Sequence, residues 1–327
     1  MPSKQPFYNL RPNKAIDRSL FIQTLIGLNS VLPISEYCYT GFGSYLFDDF
    51  KLVHDTLGIS KMISLEKDRE EFMRAEYNKP YNCIEIINTT SSEYLSNLDI
   101  SDETHGIYWL DYTKPAELSS QLADYATLLN IANANDVIRI TLNANPESLG
   151  KCNDPDRVQQ VRLATLKDRV PGEYLFPAIA ADDVTNRNYP LTLLRILKAV
   201  AMESLTDSPP YSPNFFLPLF SCVYADGQQM LTFTGIILNS HEKEREIKSA
   251  LSMFSHNNFK WDSPCRIEIP HLTVREITEI NKYLPDENIQ QILIKEFPFI
   301  FSTKNLDVVD SYISYYKYYP SYHKISF

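Results

Sequence analysis

Between Glu36 and Leu142 the chain alternates five times between a short apolar run and an amphipathic stretch, with brief connections. No other feature constrains the fold as much. The apolar runs are Glu36–Thr40, Lys61–Glu66, Asn82–Ile87, Gly106–Asp111 and Asp136–Leu142. The stretches between them carry apolar residues at helical spacing, as in Leu46, Phe47, Phe50, Val53 and Leu57. The pattern predicts helices from Ser44 to Leu57, Asp68 to Tyr77, Ser91 to Leu98 and Pro115 to Ile131. Strands separated by helices must run parallel, and a parallel sheet needs cover on both faces. With right-handed crossovers the result is a doubly wound α/β sheet.

The rhythm changes after Asn143. Helices are expected over Asp156–Asp168 and Leu191–Leu205, followed by an antiparallel hairpin. Its strands are Phe215–Tyr224 and Met230–Leu238, joined by Ala225-Asp226-Gly227-Gln228, and Asp-Gly between apolar runs favours a tight turn. Another helix, Ala15–Leu28, precedes the first strand. Residues 1–240 therefore read as a Rossmann-like domain with an N-terminal helix. Residues 241–327 read as an α+β extension, packed on that domain or serving as an interface. At 327 residues the chain is long enough to bury a core without disulfides. The odd set Cys38, Cys83, Cys152, Cys222 and Cys265 contains no close pair, so scattered thiols and a cytoplasmic setting are expected.

Only nine glycines are present, and two of them flank Phe42 in Thr40-Gly41-Phe42-Gly43-Ser44. The loop joins a strand to a helix. Glycine there lets a ligand approach the backbone, and a helix start offers free N–H groups. Glu66, 23 residues after Gly43, ends the next strand, where a carboxylate can accept hydrogen bonds from both ribose hydroxyls. Gly41, Phe42, Gly43, Ser44 and Glu66 are thus the candidate nucleotide-binding residues. Asp111 ends the fourth strand at the same sheet edge and is the candidate base or orienting group; as an alternative it caps the turn before Lys114-Pro115.

These residues resemble class I S-adenosylmethionine-dependent methyltransferases over the pattern from Glu36 to Leu238. The family motif acid-x-G-x-G-x-G corresponds to Tyr39-Thr40-Gly41-Phe42-Gly43-Ser44-Tyr45, with Tyr39 in place of the acid and Tyr45 in place of the last glycine. The resemblance implies S-adenosylmethionine as cofactor, adenine near Asn88, and a functional motif at Asp111. Leu10-Arg11-Pro12-Asn13-Lys14, Tyr39–Gly43 and Trp109-Leu110-Asp111-Tyr112 are similar to blocks of bacterial putative O-methyltransferases. The activity this resemblance implies is O- or N-methylation of a small-molecule or protein substrate. Two alternatives remain open. A dinucleotide such as NAD would want G-x-x-G to complete the loop, but the third glycine position is Leu46. The other is a non-catalytic partner protein that keeps the fold.

Other features bound these readings. A net charge of −10 and the absence of an Asp/Asn-Pro-Pro-aromatic motif disfavour broad nucleic-acid binding and DNA base methylation. No apolar run approaches the ~18 residues of a membrane span, and the first residues lead into no apolar run of a secretory signal. None of the six histidines has a metal-ligand neighbour at a usual spacing, so no metal is expected. Asp48 and Asp49 complement a helix dipole or hold a donor's ammonium group. Arg11, Lys14 and Arg18 share a helix face, expected to be solvated or, as the alternative, to clamp a carboxylate or phosphate of donor or substrate. Cys38 reads as core. The six tyrosines from Tyr312 to Tyr322 are expected to dock on the core or on another subunit.

Overall fold

A computed structural model describes residues 11–98, 105–206 and 214–320. Five parallel strands follow one another: β1 (Cys38–Gly41), β2 (Lys61–Leu65), β3 (Ile84–Ile87), β4 (Gly106–Asp111) and β5 (Val137–Asn143). β6 (Phe215–Ala225) and β7 (Gln229–Leu238) come next, and β7 runs antiparallel to β5. With the short β8 (Cys265–Ile267) they form one sheet ordered β3-β2-β1-β4-β5-β7-β6-β8. The expected doubly wound sheet with a closing hairpin is therefore present.

Helices α1 (Pro12–Leu28), α3 (Arg69–Asn78), α4 (Ser91–Asn97) and α5 (Leu118–Ile131) occupy the predicted places, and α2 (Asp48–Leu57) ends where predicted but starts later. Their ends have local causes. Gly58, in the left-handed region, closes α2. Asp68 accepts from the amides of Glu70 and Glu71 at the start of α3. Thr90 and Glu93 form a reciprocal capping box on α4. Asp226 is more than a turn residue: its carboxylate accepts from the backbone amides of Asn13 and Lys14, capping α1 from the hairpin tip.

β4 and β5 are buried on both faces, as central parallel strands must be. One face of β4 and β5, with Tyr108, Leu110, Ile138 and Ile140, packs with Leu122, Tyr125 and Leu129 of α5 and with α7 (Tyr189–Thr206). The alternate residues Trp109 and Arg139 point the other way. There Phe21 of α1 meets the Trp109 ring edge-on at 5.3 Å. Arg139 is fully buried, donates to Thr234 Oγ1 at 2.7 Å and lies over the rings of Phe21 and Trp109.

By compactness the chain forms two units, 21–223 with 228–265, and 1–20 with 224–227 and 266–327. The second contains α9 (Val274–Asn281), α10 (Ile289–Glu296) and α11 (Leu306–Tyr315); α8 (His241–Leu251) and α6 (Val158–Arg169) belong to the first. In the second unit Tyr312 is buried against Phe301, and Tyr319 donates to Pro270 O while accepting from Leu272 N. These tyrosines dock within their own unit; Tyr322 lies outside the described residues, as does Leu10.

Two expectations are corrected here. Cys222 and Cys265 form a disulfide, leaving Cys38, Cys83 and Cys152 as thiols. The partners lie 43 positions apart and meet only because β8 pairs beside β6. The basic face of α1 is not solvated: Lys14 and Arg18 are 5% and 9% exposed, and Asp17 between them is fully buried. Among the described residues no helix is long and apolar enough to cross a membrane.

Candidate active site at the carboxyl edge of the sheet

In the strand order, the chain moves outward from β1 through β2 to β3, then returns to place β4 on the other side of β1. Crossovers leave β1 and β4 in opposite directions, and the crevice between their carboxyl ends is where open α/β sheets bind ligands. The candidate residues all lie at that edge. Gly41 ends β1, Asp111 ends β4, and Glu66 and Asn88 directly follow β2 and β3.

Register fixes their neighbours. Gly41 pairs with Ser64, so Glu66 stands two residues beyond the loop's own partner. Glu66 is half-buried, and burial pushes its carboxyl above the usual glutamate range. One of its oxygens accepts from Asp68 N at 3.1 Å. Asn88 uses its side-chain nitrogen on the carbonyls of Glu66 (2.7 Å) and Lys67 (3.3 Å). It braces the turn that carries Glu66.

The two loop glycines are glycine for different reasons. A Cβ on Gly43 would stand 2.7 and 2.9 Å from carbons of the Phe47 ring and 2.9 Å from Ser64 Oγ. Internal packing forbids it, and Gly43 N donates to Ser64 Oγ at 3.0 Å. A Cβ on Gly41 would meet nothing nearer than 3.5 Å, an ordinary contact. The protein's own packing therefore leaves room there for a side chain that the sequence does not supply.

The helix after the loop starts later than the spacing predicts. Ser44 and Phe47 both have φ of 51°, in the left-handed region, and α2 begins only at Asp48. Residues 44–46 form a turn, and the buried Phe47 ring packs edge-on against Phe50. The helix then opens with two carboxylates, Asp48 and Asp49. Tyr39 is fully buried on β1, and its hydroxyl donates to Asp49 Oδ2 at 2.7 Å. The position where the family motif has an acid thus reaches a carboxylate through a tyrosine. Tyr45, at the last motif glycine, lies under the Arg74 guanidinium at 3.4 Å, which ties the turn to α3.

Asp111 is half-buried and in register with Thr141. By strand alternation it shares a face with Trp109, whose Nε1 donates to Thr141 Oγ1 at 2.9 Å. Lys114 stands at the cap position of the next turn.

Sequence reasoning missed Tyr112 and Asp124. Tyr112 follows Asp111; its ring meets Phe42 of the glycine loop at 5.6 Å, and its hydroxyl donates to Asp124 at 2.6 Å. Burial and the Asp124 charge push the Tyr112 hydroxyl's pKa far above the ordinary tyrosine value. The signal was legible: Asp124 sits one turn before Leu128 on the buried side of α5. An acid at such a position needs specific partners. Among the described residues no group of three or more His, Cys, Asp or Glu is placed to hold a metal ion.

Sheet order, glycine loop and the acids at the strand ends define a class I methyltransferase-type Rossmann protein. The chain belongs to the family described as "Putative O-methyltransferase", whose sequence model matches residues 6–327. No curated protein matches the sequence. Similar solved structures include Trm1 from Pyrococcus horikoshii in complex with S-adenosyl-L-methionine, at 10% identity, 91% of this chain, 75% of that one and a TM-score of 0.45. A putative O-methyltransferase from Klebsiella pneumoniae shows 9% identity, 72% and 92% coverage and a TM-score of 0.34. A putative transferase from Pyrococcus horikoshii shows 15% identity, 63% coverage of this chain and a TM-score of 0.34; the match spans 58% of that protein. At such identities and scores these likenesses assign no substrate or residue role.

Proposed function

We propose that this chain binds S-adenosylmethionine at the carboxyl ends of β1, β2 and β4 and methylates a hydroxyl oxygen of its substrate. The observation that carries this reading is the start of α2. A dinucleotide's pyrophosphate is held by a helix N-terminus at the glycine loop. Here the helix begins five residues after Gly43 and presents Asp48 and Asp49, which repel phosphate. The same carboxylates suit a cationic ligand, and S-adenosylmethionine carries positive charge on its sulfonium and its ammonium. Asp49, whose Oδ2 accepts from the Tyr39 hydroxyl, holds the ammonium in this reading.

The other residues fit the same ligand. The room at Gly41 lets the ligand approach the β1 backbone. Glu66, beside the loop by register, accepts from the ribose hydroxyls. Asn88 supports Glu66 and borders the adenine side. When bound, the cofactor supplies an activated methyl group. Asp111 at the end of β4 takes the proton from the acceptor hydroxyl as the oxygen is alkylated, and the fold contributes positioning.

Calorimetry with S-adenosylhomocysteine and NAD tests the proposal. Binding of the adenosyl compound and not of NAD is expected. Failure to bind it at concentrations on the order of a millimolar, where a complex is held by only about 4 kcal/mol, would sink the reading.

A further inference from the structure

The donor reading leaves a buried carboxylate unexplained. Asp124, in the middle of α5, is only 5% exposed. Its oxygens accept from three hydroxyls: Ser91 Oγ at 2.5 Å, Ser92 Oγ at 2.6 Å and Tyr112 Oη at 2.6 Å. A charge removed from water is tolerated only when its lone pairs are engaged, and these bonds engage both oxygens. They also join three separate stretches: the first residues of α4, the residue after Asp111, and α5.

One of the three leads to the glycine loop. The Tyr112 ring touches Phe42 with centroids 5.6 Å apart and planes inclined by 54°. Phe42 lies between Gly41 and Gly43, where the backbone has the greatest freedom. Two contacts oppose that freedom. Ser64 holds the Gly43 amide from the β2 side, and Tyr112 holds the Phe42 ring from the β4 side. Ser64 is anchored in a strand. Tyr112 lies just past the end of β4, and Asp124 fixes its hydroxyl.

We propose that Asp124 is a positioning residue of the donor site, which acts through Tyr112 and Phe42 to hold the glycine loop in the conformation that receives S-adenosylmethionine. The proposal rests on the donor reading given above. Its physical basis is preorganisation. A ligand's apparent affinity falls in proportion to the fraction of molecules whose loop is in the receptive conformation, and ordering the loop at the moment of binding opposes association.

Two measurements on the full chain test it. The first is calorimetry with S-adenosylhomocysteine on D124N, Y112F, F42A and the double variant D124N/F42A. D124N and Y112F are expected to weaken binding about tenfold, the factor for a tenfold smaller receptive fraction. In the F42A background D124N should add less than about a twofold change. Multiplying effects, or singles within about twofold of the unaltered protein, would overturn the proposal. A merely structural role lowers the melting temperature without this coupling to Phe42. S96A, at an exposed serine on α4 whose hydroxyl donates to Ser92 O, is the control. If D124N does not fold, Y112F and S91A/S92A remove the donors and leave the carboxylate.

The second measurement needs no ligand. Amide hydrogen exchange of residues 41–45 should quicken about tenfold in Y112F and D124N, while residues 231–237 of β7 stay unchanged. Unchanged exchange in the loop would overturn the proposal even if the variants bind poorly. Quickened exchange in a protein that binds no adenosyl compound would uphold the loop mechanism and defeat the donor reading instead.

Discussion

Substituting alanine at each loop glycine separates packing from binding. In Gly43→Ala the new methyl must share space with the Phe47 ring at 2.7 Å and Ser64 Oγ at 2.9 Å. Phe47 is fully buried and Ser64 nearly so, so neither side chain can swing into solvent. Overpacking of this kind costs about 1–3 kcal/mol. Displacing Ser64 also strains the bond from Gly43 N, worth about 1 kcal/mol. The total is about 2–4 kcal/mol. At about 1.5 °C per kcal/mol for a chain of 327 residues the melting temperature should fall by at least about 3 °C. In Gly41→Ala the nearest contact is 3.5 Å, so stability should change by no more than about 0.5 kcal/mol. The methyl would instead stand in the ligand's path, and a clash of about 1–3 kcal/mol there weakens S-adenosylhomocysteine about 5- to 150-fold. Scanning calorimetry and isothermal titration read the two effects independently. An unshifted melting temperature for G43A would refute the packing argument. Full-strength binding by G41A would refute the claim that this glycine clears the ligand's approach.

Four further outcomes are expected. Because burial raises the Glu66 pKa above the ordinary glutamate value, S-adenosylhomocysteine affinity should decline as pH falls through that raised pKa and the carboxylate takes up a proton; E66Q should bind about 10-fold more weakly at neutral pH and lose this acid limb. D111N should slow methyl transfer about 100-fold or more while S-adenosylhomocysteine affinity, measured by calorimetry, stays within about threefold. Asp136 is fully buried and accepts from the amides of Gly106 and Asn133, both at 2.8 Å; D136A strands both donors and should destabilise by about 2–6 kcal/mol in urea unfolding. The hydrogen bond to Asp136 raises the pKa of His105 above 6.5, so its stabilisation is complete below pH 6.5 and disappears as pH rises through the higher folded value; urea midpoints measured across that range should show the decline, and H105Q should lack it.

The sequence by itself determined the sheet class, the order of the elements and the sheet edge at which the candidate residues gather. These follow from short-range periodicity: period two or continuous apolarity for strands, 3.6 for helices. That Gly41, Glu66 and Asp111 share one sheet edge was legible because parallel strands separated by helices bring their carboxyl ends together regardless of side-chain detail. Tertiary structure decided what those residues meet. That Gly43 serves Phe47 and Ser64 depends on the pairing of β1 with β2. The delayed start of α2 accompanies the left-handed backbone of Ser44 and Phe47, which no local pattern announces. The Cys222–Cys265 bond needs β6 and β8 side by side, and the burial of Lys14 and Arg18 contradicts a helix face that looks solvated from its charges. Asp124 was visible only as an acid out of place on the apolar side of α5; its three hydroxyl donors come from positions 12 to 33 residues away. Local pattern specifies which elements form, but each of these contacts joins residues that the chain brings together only after the sheet has assembled.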